Sequence, residues 1–341
     1  MSKFLVFRFA AAALGSLLSI SALAAAQQCS GDGDRLISRP LADQGPTEIA
    51  TRIYVNDIIR IDDAQQSFTA DVFFRVEWQD PRLAHSGSEP CSIVLADIWN
   101  PDLQILNRRS IERVRQIDPQ VQPDGTVMMA MRGFGDFSFH ADLTEFPFDQ
   151  QVLPFNIVSA YSEDDIRFVI DPGLLSVAPQ LSVANWRITV GGARAETQYV
   201  AAVDRQLLRL DVLLEASRRT GFYTWQQLVP LLLVVMMTWV VFWIPLEFVA
   251  PRVGLAATAM LTLIAYRFAM SSVLPPIAYL TRLDLFMIGA SVLVFGSLVV
   301  SVAVTWTEHN RSESLAARMN LAACWMSPVL LVGLCVFAFF A

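Results

Sequence analysis

The chain has 341 residues, 54% of them hydrophobic, and a formal net charge of −7 at pH 7. Its mean hydropathy of +0.44 is too high for a soluble protein of this length and favours a soluble domain joined to a membrane bundle. The negative charge argues against a nucleic-acid partner.

Residues 1–26 have the pattern of a secretory signal peptide. Lys3 and Arg8 provide positive charge, an apolar run extends from Phe9 to Ile20, and small residues up to Ala26 provide cleavage sites. The alternative is an uncleaved N-terminal membrane anchor. We expect cleavage, because the apolar run is short and ends in alanines. The mature N-terminus would then lie outside the cytoplasm.

The four cysteines fall into two pairs. Cys29 and Cys91 lie in the predicted exported domain, where a disulfide is permitted, but the sequence does not show whether they meet. Cys324 and Cys335 lie in an apolar segment and are expected to be ordinary core residues. No spacing resembles a metal site, and no cofactor is expected.

Residues 27–217 form the predicted exported domain, and from Thr47 to Glu215 the chain has an all-β pattern. Short alternating runs such as SFTADVFFRVEW and RLDVLLEA are separated by clusters of Pro, Gly, Asp and Asn. Strands without intervening helical patterns favour an immunoglobulin-like sandwich over a parallel sheet. We find no Ser-His-Asp grouping, phosphate loop or supported acid pair, so an enzyme is not expected.

Residues 218–341 form a predicted membrane domain. Four apolar segments, at about 222–244, 252–274, 284–306 and 320–340, each approach the ~20 residues that a spanning helix needs. Aromatic residues near their ends, such as Trp239, Trp243 and Trp306, are typical of membrane interfaces. The sequence therefore predicts an all-β sandwich followed by a four-helix transmembrane bundle.

The second apolar segment has one unusual face. Six residues spaced by three or four positions share it: Gly254, Thr258, Leu261, Ala265, Phe268 and Ser272. Polar ends around an apolar middle suit a narrow aqueous pore with a hydrophobic gate. The alternative is a helix packed among others, since small and hydroxyl residues also permit close packing.

Three motifs in order resemble the pentameric ligand-gated ion channels, the Cys-loop receptor superfamily. Trp78–Leu83 resembles the family's W-x-D-x-R-L, Ile98–Asp102 its tryptophan-x-proline-aspartate loop, and Phe146–Gln151 the FPFDxQ centre of the Cys-loop. Phe139 and Leu153 stand where the flanking cysteines of that loop would be. This departure resembles bacterial members, which commonly lack the disulfide.

Further matches extend the resemblance through the membrane domain. Arg218 resembles the family's linker arginine, Pro230 its first-span proline, and Pro275 with Tyr279 the loop joining the second and third spans. A predicted twelve-residue connection from Thr307 to Arg318 resembles that of bacterial relatives.

The resemblance implies a homopentamer in the lipid of a bacterial inner membrane, with the N-terminal domain in the periplasm. The second span of each subunit would line a pore for inorganic ions. Leu261 would then form an apolar girdle able to block ions by dewetting, and Phe268 a second constriction. Thr258 and Ser272 would offer hydroxyls to the permeating ion.

Charge selectivity depends on the inner mouth. Cation-selective relatives usually carry a glutamate immediately before the arginine there, whereas this chain has Pro251 before Arg252, more like glycine- and GABA-type anion channels. Glu247 is nearby and could supply a negative ring. The expectation is anion conduction, with cation conduction as the alternative.

Coupling between the domains is expected to use a charge cluster. Asp149 and Arg218 match family positions at the domain junction, and Asp62 or Asp63 could join them. Phe148 and Pro275 belong to the two loops that would meet there.

The agonist is the least determined part. By offset from the motifs, the pocket positions are Phe73, Leu106 and Ala160, with Tyr161 adjacent and Tyr199 able to close the site. Only one of the three is aromatic, so a cage for quaternary ammonium is not expected. A small molecule and a proton both remain open as agonists.

Two other classes fit parts of the sequence. A periplasmic sensor that does not conduct would not need a face with polar ends on the second span. A β-sandwich enzyme on a membrane anchor would need a catalytic group, and the sequence does not show one.

Overall fold

The computed structural model describes Cys29 and residues 36–171, 173–201, 204–271 and 277–340, except for the side chains of 111–116, 271 and 340. The predicted signal peptide and the predicted site residues Ser272 and Pro275 lie outside these residues.

Eleven strands of the described residues form two sheets. The larger sheet has the order β3-β5-β6-β2-β1-β8, with β9 also paired to β1, and the smaller has the order β10-β11-β7-β4. Their bounds are β1 Thr47–Asp62, β2 Ser67–Gln79, β3 Cys91–Ser92, β4 Leu103–Ile105, β5 Arg108–Val121, β6 Thr126–Ser138, β7 Gln150–Ser159, β8 Ile166–Val169, β9 Leu175–Val177, β10 Trp186–Val200 and β11 Arg205–Arg218.

The two sheets enclose one core because their strands alternate. Every second residue of β2 from Phe68 to Trp78 is buried, as is every second residue of β11 from Leu208 to Ala216. Phe155 of β7 packs edge-on against Phe68 and Phe137, with ring centroids 5.5 and 5.0 Å apart. Each such ring stabilises the fold by roughly 1.5–3 kcal/mol through burial.

Cys29 and Cys91 form a disulfide with a Cα–Cα distance of 5.0 Å. It ties the start of the described chain to β3. The bridge lies outside the loop between Phe139 and Leu153, two residues that are both buried.

Four long helices follow the sandwich: α1 Gly221–Trp243, α2 Val249–Ser271, α3 Arg282–Asn310 and α4 Glu313–Phe340. Within α1, a π-helical segment at Thr224–Leu228 ends two residues before Pro230, whose nitrogen cannot donate a helical hydrogen bond. All four helices are long and apolar enough to cross a membrane. The predicted fold class, a β-sandwich followed by a four-helix transmembrane bundle, is confirmed.

The helix ends differ from the predicted spans. The expected connection from Thr307 to Arg318 is wrong, because α3 continues to Asn310 and α4 begins at Glu313. Hydropathy marks the apolar part of a span and misses charged turns that continue the helix. At the start of α2, Pro251 occupies the first turn, where the missing N–H is not needed.

Candidate functional site

Arg218, the last residue of β11, lies between two carboxylates at the junction of the domains. Its Nε and Nη2 donate to the two oxygens of Asp149 at 2.7 and 2.9 Å, and Nη2 also donates to Asp63 Oδ2 at 2.8 Å. Arg218 is 7% exposed and Asp149 2% exposed. The ion pair of Arg218 and Asp149 is therefore bidentate and buried, which makes it a strong charge-assisted contact.

Aromatic rings surround the same guanidinium. Its carbon lies 4.1 Å from the ring centroid of Trp186, 5.0 Å from that of Phe146 and 5.5 Å from that of Tyr223. Arg218 Nη1 also donates to the hydroxyl of Tyr223 at 3.3 Å. Because Tyr223 lies in the first turn of α1, one side chain connects the sandwich with the first membrane helix.

The two acids at Arg218 have different surroundings. Burial opposes the charge of Arg218, but its hydrogen bond to Asp149 and the charges of both acids outweigh this, so its pKa is raised above the ordinary value. Burial raises the pKa of Asp63 despite the opposing effect of Arg218. Asp63 Oδ1 has no hydrogen-bond partner among the described residues. The neighbouring Asp62 instead accepts a hydrogen bond from the backbone N–H of Gln65. Of the two adjacent acids, Asp63 is therefore the one that binds Arg218.

A second contact joins the loop between β6 and β7 to the later helices. Arg282, the first residue of α3, donates to Glu145 Oε1 at 2.8 Å and to the carbonyl of Phe339 at 2.5 Å. Phe148 meets Phe339 edge-on at 5.9 Å between ring centroids. The predicted coupling residue Phe148 therefore contacts the end of α4.

The predicted pore face of α2 is exposed in the single chain. Leu261 is 68% and Phe268 74% exposed. Gly254, Thr258 and Ala265 are exposed on the same side. Thr258 donates to the carbonyl of Gly254 at 2.8 Å, so its hydroxyl oxygen can still accept a hydrogen bond. The opposite face packs into the bundle and carries Arg252, Ala256, Ala259, Leu263 and Met270.

The residues expected at the inner mouth separate into two environments. Glu247 and Pro251 are exposed, whereas Arg252 is 0% exposed. The guanidinium of Arg252 donates from Nη2 to Asn320 Oδ1 of α4 at 2.6 Å. The structure therefore places the arginine behind the exposed face and not on it.

The ligand-pocket candidates lie on different sheets. Leu106, Ala160 and Tyr161 lie beside the paired strands β4 and β7, and Tyr199 lies on β10 of the same sheet. Leu106, Ala160 and Tyr199 are exposed. Tyr161 is half-buried, and its hydroxyl accepts a bond from Trp99 Nε1 at 2.8 Å. Phe73 lies on β2 of the other sheet, so these candidates do not line one pocket within a chain.

Sequence reasoning missed the charged group above Phe73. The guanidinium carbon of Arg132 lies 5.0 Å from the Phe73 ring centroid, and Arg132 Nε and Nη2 donate to Asp71 at 2.9 and 2.6 Å. These hydrogen bonds lower the pKa of Asp71. Phe73 and Arg132 are direct partners in the β2–β6 register, which becomes visible only once the strands are paired.

A cavity of about 420 Å³ lies between α2 and α3. Its lining includes Arg267, Phe268 and Ser291. At the start of α3, Asp284 accepts hydrogen bonds from the backbone N–H and the hydroxyl of Thr281.

The fold and the junction define a class: a multi-pass membrane protein with an extramembrane β-sandwich coupled to four helices. Two family models match most of the chain. The neurotransmitter-gated ion-channel ligand binding domain matches residues 35–190, and the neurotransmitter-gated ion-channel transmembrane region matches residues 227–325. The chain belongs to the neurotransmitter-gated ion-channel family.

The chain is also similar to subunits of gamma-aminobutyric acid receptors. The gamma-aminobutyric acid receptor subunit gamma-1 of Rattus norvegicus is 26% identical over 305 residues, 86% of this chain and 66% of that protein. The human gamma-1 subunit is 27% identical over 289 residues, 82% and 62% of the two chains. The beta-4 subunit of Gallus gallus is 28% identical over 283 residues, 80% and 58%. The chain thus spans a little under two thirds of the length of these relatives.

Proposed function

We propose that the chain is the subunit of a homopentameric ligand- or proton-gated ion channel, with α2 of each subunit lining the pore. The observation that carries this proposal is the exposed face of α2, with Thr258 and Gly254 toward one end and Leu261 at the middle. A lipid-facing surface would have no need of this polarity. Five copies around an axis would place this face around a water-filled pore, where it contacts water and ions and not lipid.

The Leu261 girdle is the proposed gate. A ring of five apolar side chains excludes hydrated ions because it offers no groups to replace their water. Phe268 would form a further constriction, two helical turns away along the same face. Opening would require the helices to move these side chains outward.

The Arg218 cluster is the proposed link between binding and opening. It holds the base of the sandwich, through Asp63 and Asp149, against Tyr223 of α1. A buried charge pair shared between two domains has few alternative arrangements, which suits a two-state element. Phe148 and Arg282 would extend the link to α3 and α4.

The proposed location is a bacterial inner membrane, with the sandwich in the periplasm. The short link between α3 and α4, and the absence of cysteine at Phe139 and Leu153, support a prokaryotic type. Residues 1–26, as a signal peptide, would direct the domain across that membrane.

The agonist pocket is proposed between subunits, where Leu106, Ala160, Tyr161 and Tyr199 of one chain would face Phe73 of the next. The division of these residues between the two sheets supports this arrangement. A small molecule bound there, or protonation of acids in the exported domain, would open the pore.

Anion conduction is the proposed selectivity, supported by Pro251 in place of a glutamate at the inner mouth. A cation-selective channel is the alternative, supported by the exposed carboxylate of Glu247.

Recording from reconstituted pentamers in planar bilayers, across pH and a panel of small amines and amino acids, tests the proposal. Reversal potentials in asymmetric NaCl then decide the selectivity. A shift toward the sodium equilibrium potential would contradict anion conduction. No current from verified pentamers under any condition would favour the non-conducting sensor.

A further inference from the structure

One arginine connects three of the four helices on the side where α2 begins. Arg252 lies on the buried face of α2, with no exposed surface. Its Nη2 donates to Asn320 Oδ1 at 2.6 Å. The amide of Asn320 donates in turn to the carbonyl of Phe242, at the end of α1, at 2.8 Å. Glu308, near the end of α3, forms no hydrogen bond with Arg252 and opposes its charge only from a longer distance.

The amide of Asn320 is fixed by these two bonds. Its oxygen must face the arginine and its nitrogen must face a carbonyl, so the side chain has one orientation. Arg252 is thereby held at a defined place behind the exposed face of α2. This contact spans three helices, since Phe242, Arg252 and Asn320 belong to α1, α2 and α4.

The partner that holds Arg252 is neutral. An amide accepts a hydrogen bond without cancelling the charge, whereas buried arginines are normally paired with an acid. Arg252 Nε and Nη1 have no hydrogen-bond partner among the residues that the structure describes. Among these residues, the guanidinium therefore has no acid as a direct partner, and only the more distant Glu308 opposes its charge. In a low-dielectric surrounding the field of such a charge reaches further than in water.

The charge is close to the exposed face. Gly254 is exposed only two residues along the same helix, and a helix with its side chains is about 10–12 Å across. A monovalent ion about 12 Å from the guanidinium, at an effective dielectric constant near 20, interacts with its charge by an energy that corresponds to about a tenfold change in the occupancy of that position.

We infer that Asn320 is a specificity-determining residue: it holds the Arg252 guanidinium behind the pore wall without neutralising it, so that a ring of buried positive charge favours anions at the inner mouth. This inference rests on the proposed channel function. It assigns the selecting charge to the buried face of α2 and gives a residue of α4 a part in choosing the ion.

Asn320→Asp tests the inference, since the replacement is nearly isosteric and puts a carboxylate against Arg252. Asn310→Asp is the matched control. Asn310 is exposed at the end of α3, so the control adds the same charge at the same side of the bundle. Reversal potentials in asymmetric NaCl give the chloride-to-sodium permeability ratio. We expect a fall of at least about tenfold in Asn320→Asp, because neutralising a single charge already changes ion occupancy by that factor and each of the five subunits contributes one. We expect little change in Asn310→Asp.

Glu308→Gln is a second variant, for the case that Asn320→Asp does not assemble. Removing the acid that acts on Arg252 is expected to change the permeability ratio in the opposite direction, toward chloride. Equal ratios in wild type and Asn320→Asp, equal shifts in both Asn→Asp variants, or no shift in Glu308→Gln would overturn the inference alone. Absence of current in the wild type would instead overturn the proposed channel function.

Discussion

Replacing Arg218 is expected to disconnect the two domains while leaving the pore intact. In Arg218→Ala, the carboxylate of Asp149 keeps its buried position, 2% exposed, but loses two N–H donors at 2.7 and 2.9 Å. Removing one partner of such a buried pair costs about 3–5 kcal/mol. A loss of this size exceeds the coupling of 1–3 kcal/mol typical between two sites in a protein. The variant should therefore give no agonist-evoked current.

The assay combines voltage-clamp recording with surface biotinylation, so that absent current is not mistaken for absent protein. Arg219→Ala is the matched control, because Arg219 is the adjacent arginine and is exposed. It should gate normally. Normal agonist-evoked current from Arg218→Ala at the surface would refute the coupling role.

A milder variant covers the case in which Arg218→Ala does not fold. Asp63→Asn removes one charged partner of Arg218, at 2.8 Å, and leaves the Asp149 pair in place. A hydrogen bond to a charged group contributes about 1.5–3 kcal/mol, so the opening equilibrium should change by about ten- to a hundredfold. An unchanged agonist concentration–response curve would count against the junction.

Three more outcomes are expected. Leu261→Ser should wet the gate and give a leak current without agonist, whereas Val292→Ser, on the exposed side of α3, should not; equal leak in both would contradict the gate. Because burial raises the pKa of Asp63 in the folded protein, its contribution to stability is present below the ordinary value of 3.8 and is lost as pH rises through the folded pKa. The thermal midpoint of wild type relative to Asp63→Asn should therefore fall as pH rises, and a pH-independent difference would count against this account. Cys29→Ser with Cys91→Ser should lower the free energy of unfolding of the β-sandwich domain by about 4 kcal/mol, from the 62-residue separation that the bridge closes; equal denaturant midpoints would exclude a stabilising role.

Much of the fold could be predicted because it depends on local patterns. The alternation in β2 and β11 and the four apolar runs determine a sandwich and a bundle, and the FPFD motif marked the loop that holds Asp149. The exposed face of α2 followed from residue spacing, since Gly254, Thr258, Leu261, Ala265 and Phe268 lie on one side.

Other features depend on pairing that the sequence does not display. Arg132 lies above Phe73 because β2 and β6 pair in one register, and Cys29 meets Cys91 across 62 positions. Trp186 reaches Arg218 because β10 pairs with β11, with these two residues as direct partners.

The burial of Arg252 is a different case, because residue spacing alone predicts it. The arginine lies four residues before Ala256 and seven before Ala259, which places it with the buried face. The family resemblance at the inner mouth concerns its charge and does not predict which way the side chain points. Its partner Asn320 lies 68 positions away and could be found only from the packing of α4.

The central claim, that the exposed face of α2 lines an ion pathway, is tested most directly by cysteine modification. Thr258→Cys and Val292→Cys are compared in a background where the free residues Cys324 and Cys335 are serine. A charged, membrane-impermeant thiol reagent should reduce agonist-evoked current through Thr258→Cys and leave Val292→Cys unchanged. Current that persists in modified Thr258→Cys, or an equal loss in both variants, would contradict the assignment.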